Sequence, residues 1–223
     1  MHTILQIENN NIPIYYVEGN PRDPIVLVFS TMYGLTEGVE NLCEEISYFG
    51  ASVVGVNLFW QKGGEGLLQK DIIAALQRKN SIPQMKIISH ALAYAQAIRE
   101  ENRALIALGI GFGGHLAFCC LAEQMVDAAV MWHPSGLGDY AFLLEDIGAK
   151  SFFMHVGDSD PLFQPHEVQK FRRHLKTYDQ MNHIQMYTNI GWGFSLQGHT
   201  TYNEEITRQA LQQLEHLIQS LRY

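Results

Sequence analysis

The chain has 223 residues, 47% hydrophobic and 17% charged, with 23 acidic against 15 basic side chains and a formal net charge of −8. That is ample apolar material for the core of one α/β domain. The acidic balance, with no Lys/Arg cluster, argues against nucleic acid or an anionic membrane surface as a partner. The N-terminal Met-His-Thr-Ile-Leu-Gln-Ile-Glu lacks the basic and then apolar segments of a signal peptide, and no apolar run reaches the ~20 residues that span a bilayer. Three cysteines (Cys43, Cys119 and Cys120), two of them adjacent, make no disulfide framework, so a reducing cytoplasm is the expected compartment.

In chain order, Ile4–Ile7 and Pro13–Val17 read as an opening hairpin. Ile25–Phe29, Ser52–Asn57, Ala104–Leu108, Ala128–Trp132 and Ser151–Val156 read as short buried strands, and Ile184–Tyr187 as a weaker one. Helical patterns lie between them at Thr36–Phe49, Met85–Glu100, Phe112–Gln124 and Tyr140–Ile147. The pattern over Gln164–Tyr178 carries Pro165 at its first helical position, where the missing N–H costs nothing. The last helix, Tyr202–Leu221, is expected to open on Thr201 and Glu204, a capping-box spacing. Strands alternating with helices imply a mostly parallel sheet covered on both faces. With no linker, repeat or low-complexity tract, residues 1–223 read as one domain. Only Gln61–Asn80 breaks the rhythm: Gly63, Gly64 and Gly66 lead into a polar helical stretch, Leu67–Lys79. Residues 61–82 therefore read as a lid insertion over the strand ends.

The segment Leu105-Ile-Ala-Leu-Gly-Ile-Gly-Phe-Gly-Gly-His-Leu-Ala-Phe118 reads as a buried strand, a glycine-packed turn and a helix. It has the form of a nucleophile elbow, G-x-(Ser/Cys)-x-G, in which a sharp turn lifts a nucleophile above the sheet. Gly111 stands at the nucleophile position. The same residues, Gly109, Gly111 and Gly114, also satisfy G-x-G-x-x-G, so a nucleotide phosphate at the helix N-terminus is a rival reading. It wants an acid near the end of the next strand. Asp127 precedes that strand, which ends in His133 instead.

Together these residues resemble the dienelactone hydrolase family of α/β hydrolases, from about Asp23 to Leu221. Phe29-Ser-Thr-Met-Tyr-Gly-Leu35 resembles the loop that helps to build the oxyanion hole. Val54-Gly-Val-Asn-Leu-Phe59 resembles the family's strand ending in a D-L-f turn. Gly109–Phe118 resembles the elbow, G-x-C-x-G-G-x-x-A. Gly157-Asp-Ser-Asp-Pro-Leu-Phe-Gln-Pro165 resembles the loop that supplies the triad acid. Tyr187-Thr-Asn-Ile-Gly-Trp-Gly-Phe194 is similar to the segment carrying the triad histidine. The resemblance implies an α/β-hydrolase fold, a small-molecule ligand of the ester, lactone or aromatic carboxylate class, and no cofactor. Its mechanism needs a nucleophile, a histidine that shuttles the proton and an acid that orients the histidine.

Carried over by position, the acid is Asp160, the nucleophile is Gly111, the histidine is Trp192, and a loop glutamate aligns with Thr31. The expected function is therefore a family member whose hydrolytic apparatus is dismantled but whose pocket remains, to bind a small molecule or a partner. Gly111 is expected to widen the pocket floor and Trp192 to wall it. The N–H groups of Phe112 and Tyr33 are expected to keep the oxyanion hole, with Met32 beside them. The alternative is a hydrolase that pairs Asp160 with His199 or His133. His199 also reads as a polar loop residue ahead of the last helix. His133, at a strand's carboxyl end, reads either as facing the pocket or as satisfied by backbone. Ser30 and Thr31 are the hydroxyls nearest the expected pocket. Cys119 and Cys120 read as core, and His155 as a core or strand-end histidine. No His, Cys, Asp or Glu spacing points to a metal site.

Overall fold

The computed structural model describes residues 1–222 except 64, 65, 69, 149, 164 and 178–182. Eight strands are described: β1 (His2–Ile7), β2 (Asn10–Val17), β3 (Ile25–Phe29), β4 (Ser52–Val56), β5 (Leu105–Ile110), β6 (Ala128–Trp132), β7 (Ser151–Gly157) and β8 (His183–Tyr187). They form one sheet in the order β1-β2-β4-β3-β5-β6-β7-β8. The β1–β2 and β2–β4 pairs are antiparallel and all the others parallel. The helices are α1 (Glu37–Ser47), α2 (Ile72–Asn80), α3 (Gln84–Ile98), α4 (Gly113–Ala122), α5 (Pro165–Thr177) and α6 (Glu204–Ser220).

The strand pleat sorts the core into two. Ile25, Leu27 and Phe29 of β3 point to the face covered by α3, α4 and α5, where they join Ile87, Tyr94, Leu116, Phe118 and Phe171. Val26 and Val28 point to the other face, covered by α1 and α6, and meet Val39, Cys43, Ile46, Leu211 and Leu214. Successive side chains of a strand face opposite ways, so an uninterrupted apolar run fits a strand buried on both sides. Helices α1 and α4, which follow neighbouring strands β3 and β5, lie on opposite faces. The crevice at the carboxyl ends of these two strands is the topological switch point where ligands bind in such sheets.

Several expected boundaries shift, for local reasons. The segment expected as a helix over Tyr140–Ile147 is a 3₁₀ helix, Leu137–Glu145. The stretch at Leu67–Lys79 becomes helical only as α2, after a short 3₁₀ turn at Trp60–Lys62. Gly64 falls outside the described residues, as do Gln164 and Tyr178 at the ends of the predicted fifth helix. The last helix is capped by Asn203, whose side chain accepts from the Ile206 N–H at 3.0 Å, rather than by Thr201. The Thr201 hydroxyl is used instead on the Trp192 carbonyl.

Helix α4 approaches β3 so closely that a Cβ on Gly113 would lie 2.1 Å from the Phe29 carbonyl oxygen. Backbone on both sides leaves no side chain to move aside. Gly113→Ala should therefore cost about 2–4 kcal/mol. Gly38→Ala on α1, where the nearest atom to the new Cβ is 3.8 Å away, should be neutral or stabilising by up to about 1 kcal/mol. Urea unfolding of the two variants is the check. Equal losses would mean that close helix–strand contact is not what Gly113 provides.

Candidate functional site

The turn between β5 and α4 has the geometry of the elbow. Gly111 takes φ +54°, a left-handed conformation that glycine adopts without strain. Its N–H donates to the Trp132 carbonyl at 3.0 Å, and its own carbonyl accepts from Gly114 and Ser135 at 2.9 and 3.0 Å. Above it lies Trp192. A Cβ on Gly111 would sit 3.1 Å from Trp192 Cζ2, 3.4 Å from Trp192 Nε1 and 3.4 Å from Thr31 Cγ2. The space a nucleophile's side chain would occupy is thus filled by the indole. The expected widening of the pocket floor at Gly111 does not occur, because the tryptophan moves into the gap that the glycine leaves.

The loop after β7 and the loop after β8 are stitched together. Asp158 Oδ1 accepts from the Asn189 N–H at 2.8 Å, and the Ser159 N–H donates to the Ile190 carbonyl at 3.1 Å. Asp160 is buried at 3% exposure. One carboxylate oxygen accepts from the Leu162 N–H at 2.7 Å, while Oδ2 has no partner among the described residues. Burial outweighs the backbone hydrogen bonds from Leu162 and Phe163 and raises the carboxyl to about 6. Trp192 Nε1 is likewise buried without a partner among the described residues.

Neither candidate histidine is paired with Asp160. His199 Nδ1 contacts the Thr201 hydroxyl at 2.6 Å, and its ring meets the Trp192 edge at 5.2 Å. His133, read as either facing the pocket or satisfied by backbone, is fully buried. Its backbone, at φ +37°, turns the ring under Trp192 and Phe194. There its Nε2 hydrogen-bonds the Ser195 hydroxyl at 2.8 Å. Burial lowers its pKa to about 3, so it stays neutral. Protonating it would place a charge in the core with no carboxylate among its hydrogen-bond partners. Among the described residues no histidine makes a hydrogen bond or ion pair with Asp160.

The oxyanion-loop expectation is corrected in one respect. The Tyr33 N–H donates to the Thr31 hydroxyl at 3.2 Å and is already engaged. The Met32 and Phe112 N–H groups, by contrast, have no partner among the described residues. Ser30 contacts only the Thr31 carbonyl, at 3.4 Å. The nucleotide reading fails on position. Asp127 binds the Leu105 N–H at 2.8 Å and Arg99 at 3.0 Å, at the amino end of β5 and the opposite end of the sheet from Gly111. Cys119 and Cys120 are buried in α4; burial raises the Cys119 thiol to about 12 and moves Cys120 the same way. His155 is buried, with Nδ1 on the Tyr187 hydroxyl at 2.7 Å. Among the described residues no cluster of His, Cys, Asp or Glu is placed to hold a metal, and no helix is long and apolar enough to cross a membrane.

A cavity of about 710 Å³ opens beside the elbow, lined by Met32, Tyr33, Phe112, Trp192 and His199 of the expected set. Lining residues not singled out in the sequence include Lys79, Gln84, His115, Asp139 and Tyr140. His115 had a legible signal. It lies four residues after Gly111, one helical turn on and thus on the same side of α4. Lys79 comes from α2, with its ammonium 5.3 Å from the Phe112 ring centre and no ion-pair partner among the described residues. The neighbouring Arg78 reaches the Met32 and Tyr33 carbonyls at 3.3 and 2.8 Å and ties α2 to the oxyanion loop.

The sheet order and the elbow define an α/β-hydrolase fold. Residues 14–221 match the model of the dienelactone hydrolase family, and the chain belongs to that family. It is 19% identical over 229 residues to a Salmonella typhi protein named "Putative carboxymethylenebutenolidase", covering 95% of this chain and 84% of that one. It is 23% identical over 146 residues to "Carboxymethylenebutenolidase 1" of Cupriavidus pinatubonensis, covering 61% of each. Its fold matches the crystal structure named "Putative Dienelactone Hydrolase" from Klebsiella pneumoniae. There the TM-score is 0.81 and the identity 19%, over 98% of this chain and 97% of that one.

The raised Asp160 pKa carries a stability consequence. A carboxyl that binds its proton more tightly in the folded chain makes stability fall as pH rises from about 4, its unfolded range, through about 6. Asp160→Asn removes that charge. The variant should exceed the wild type by roughly 1–3 kcal/mol at pH 7.5, with the difference vanishing below pH 4. Urea unfolding at both pH values tests this, and a destabilised variant at pH 7.5 would refute it.

Proposed function

We propose that this chain is a dienelactone hydrolase family member that has lost the family's nucleophile–histidine–acid hydrolysis and binds a small aromatic carboxylate. The observation that carries the reading is the Trp192 indole packed 3.1 Å from the position of a Cβ on Gly111. A nucleophile there needs a basic nitrogen to take its proton. An indole has none, and its bulk stands where the thiol or hydroxyl would be. Asp160 is then a triad acid without its histidine, in accord with its unpartnered Oδ2.

The ligand class follows from the cavity walls. Tyr33, Phe112, Tyr140 and Trp192 supply aromatic surface, and Lys79 supplies a cation. A partly buried ammonium with no anionic partner favours an anion, and the rings favour a flat apolar body. The free N–H groups of Met32 and Phe112 suit a carboxylate or carbonyl oxygen. Helix α2 acts as the lid. It brings Ile72, Leu76 and Lys79 over the cavity and is held by Arg78 to the Met32 and Tyr33 carbonyls.

Two measurements test this reading. Hydrolysis of a short aryl acetate should be slow in the wild type and unchanged by Asp160→Ala. Gly111→Cys and Trp192→His singly should leave it slow. The double variant Gly111→Cys/Trp192→His should gain at least about 10²-fold and become sensitive to Asp160→Ala. A wild-type rate that collapses in Asp160→Ala would show a working acid–base pair and overturn the loss of hydrolysis. Separately, benzoate should raise the melting temperature of the wild type and fail to do so in Lys79→Met. No shift in the wild type would overturn the ligand class.

A further inference from the structure

Gln84, His115 and Tyr140 come from three separate elements and meet on one wall of the cavity. Gln84 is the first residue of α3, His115 lies in the first turn of α4, and Tyr140 belongs to the 3₁₀ helix after β6. The His115 ring stacks on Tyr140, with centres 5.1 Å apart and planes at 15°, and meets the edge of Phe112 at 4.7 Å. The Gln84 amide nitrogen is 2.6 Å from His115 Nε2.

His115 is 2% exposed. Burial, reinforced by the charge of Lys79, lowers its pKa to about 4, so the ring is neutral at physiological pH. A neutral imidazole whose Nε2 accepts from the Gln84 amide carries its proton on Nδ1. That Nδ1 is buried, and backbone hydrogen bonding with Ser135 and Phe112 offsets part of the effect of burial on the ring. The Gln84 NH₂ group has two hydrogens, one of which goes to His115 Nε2. Two capacities are left over: the Gln84 carbonyl oxygen can accept, and the Tyr140 O–H can donate. A hydroxyl group both donates and accepts, and so matches both at once.

We infer that Gln84, His115 and Tyr140 form a specificity subsite for a hydroxyl on the ligand, so that the preferred class is a hydroxylated aromatic carboxylate. This rests on the aromatic carboxylate reading above and adds the position that discriminates within that class. His115 acts as a positioning residue. It fixes the Gln84 amide and, by stacking, the Tyr140 ring, while Gln84 and Tyr140 make the contacts. Lys79 lines the same cavity and takes the carboxylate. A site built to hydrogen-bond a hydroxyl penalises the analogue that lacks it, because its polar groups are then left unpaired.

The experiment is isothermal titration of the full-length protein with benzoate, 3-hydroxybenzoate and 4-hydroxybenzoate. The variants are Tyr140→Phe, which keeps the stack on His115, and Gln84→Leu. The wild type should bind one hydroxybenzoate roughly ten-fold more tightly than benzoate, as two neutral hydrogen bonds allow. Each variant should cut that ratio to about two-fold. Lys79→Met should weaken all three ligands and leave the ratio intact, a split that a merely structural role for the wall would not produce. A wild type that binds benzoate with no preference, or a preference that survives both variants, overturns the subsite and leaves the ligand class standing. A wild type that binds none of the three overturns both.

Discussion

The site is organised by one steric constraint: a side chain at position 111 and the indole of Trp192 compete for the same volume. With Gly111 the indole lies 3.1 Å from where a Cβ on that residue would sit. A cysteine or serine would add a heavy atom beyond Cβ, into the ring. The two departures from the family's pattern are therefore one packing unit. The rings of His133 and His199 hold Trp192 edge-on at 5.3 and 5.2 Å. The positive φ of His133 aims its ring beneath the indole, and the Ser195 hydroxyl anchors it there. Trp192 is thus the centre of a buttressed aromatic cluster.

That arrangement leaves several polar atoms underused. Asp160 Oδ2, Trp192 Nε1 and His133 Nδ1 are buried without partners among the described residues. Each such group costs on the order of 1–3 kcal/mol. A scaffold with two extensive apolar cores, one on each face of an eight-stranded sheet, tolerates this. The raised Asp160 pKa expresses the same cost: without an imidazole to share its charge, the buried carboxylate is held only by backbone N–H groups.

The polar capacity that remains lies farther along the cavity, and it depends on contacts between distant parts of the chain. Helix α2 brings Lys79 to the Phe112 ring, and the elbow helix brings His115 to Gln84. Arg78 couples these parts, because its guanidinium lies over Phe59 and reaches the carbonyls of the oxyanion loop. Helix α2, the loop after β3 and the elbow are thereby held as one surface.

The sequence by itself determined the alternation of strands and helices, the elbow and the family resemblance. These depend on local patterns: buried runs such as Ile25–Phe29, and glycines where backbones touch. It also located Gly111, Trp192 and Asp160 as positions, since motif spacing is legible whatever residue occupies each position. It misplaced the N-cap of the last helix, where Thr201 and Asn203 both qualify locally and only the Trp192 carbonyl, nine residues back, claims the threonine. The tertiary structure alone decided that Trp192 fills the space above Gly111, and that His133 lies beneath that ring and not in the cavity. It also decided that Lys79, Gln84, His115 and Tyr140 share one wall. Those facts depend on side chains that meet across the sheet's carboxyl edge, which no periodicity within a single segment records.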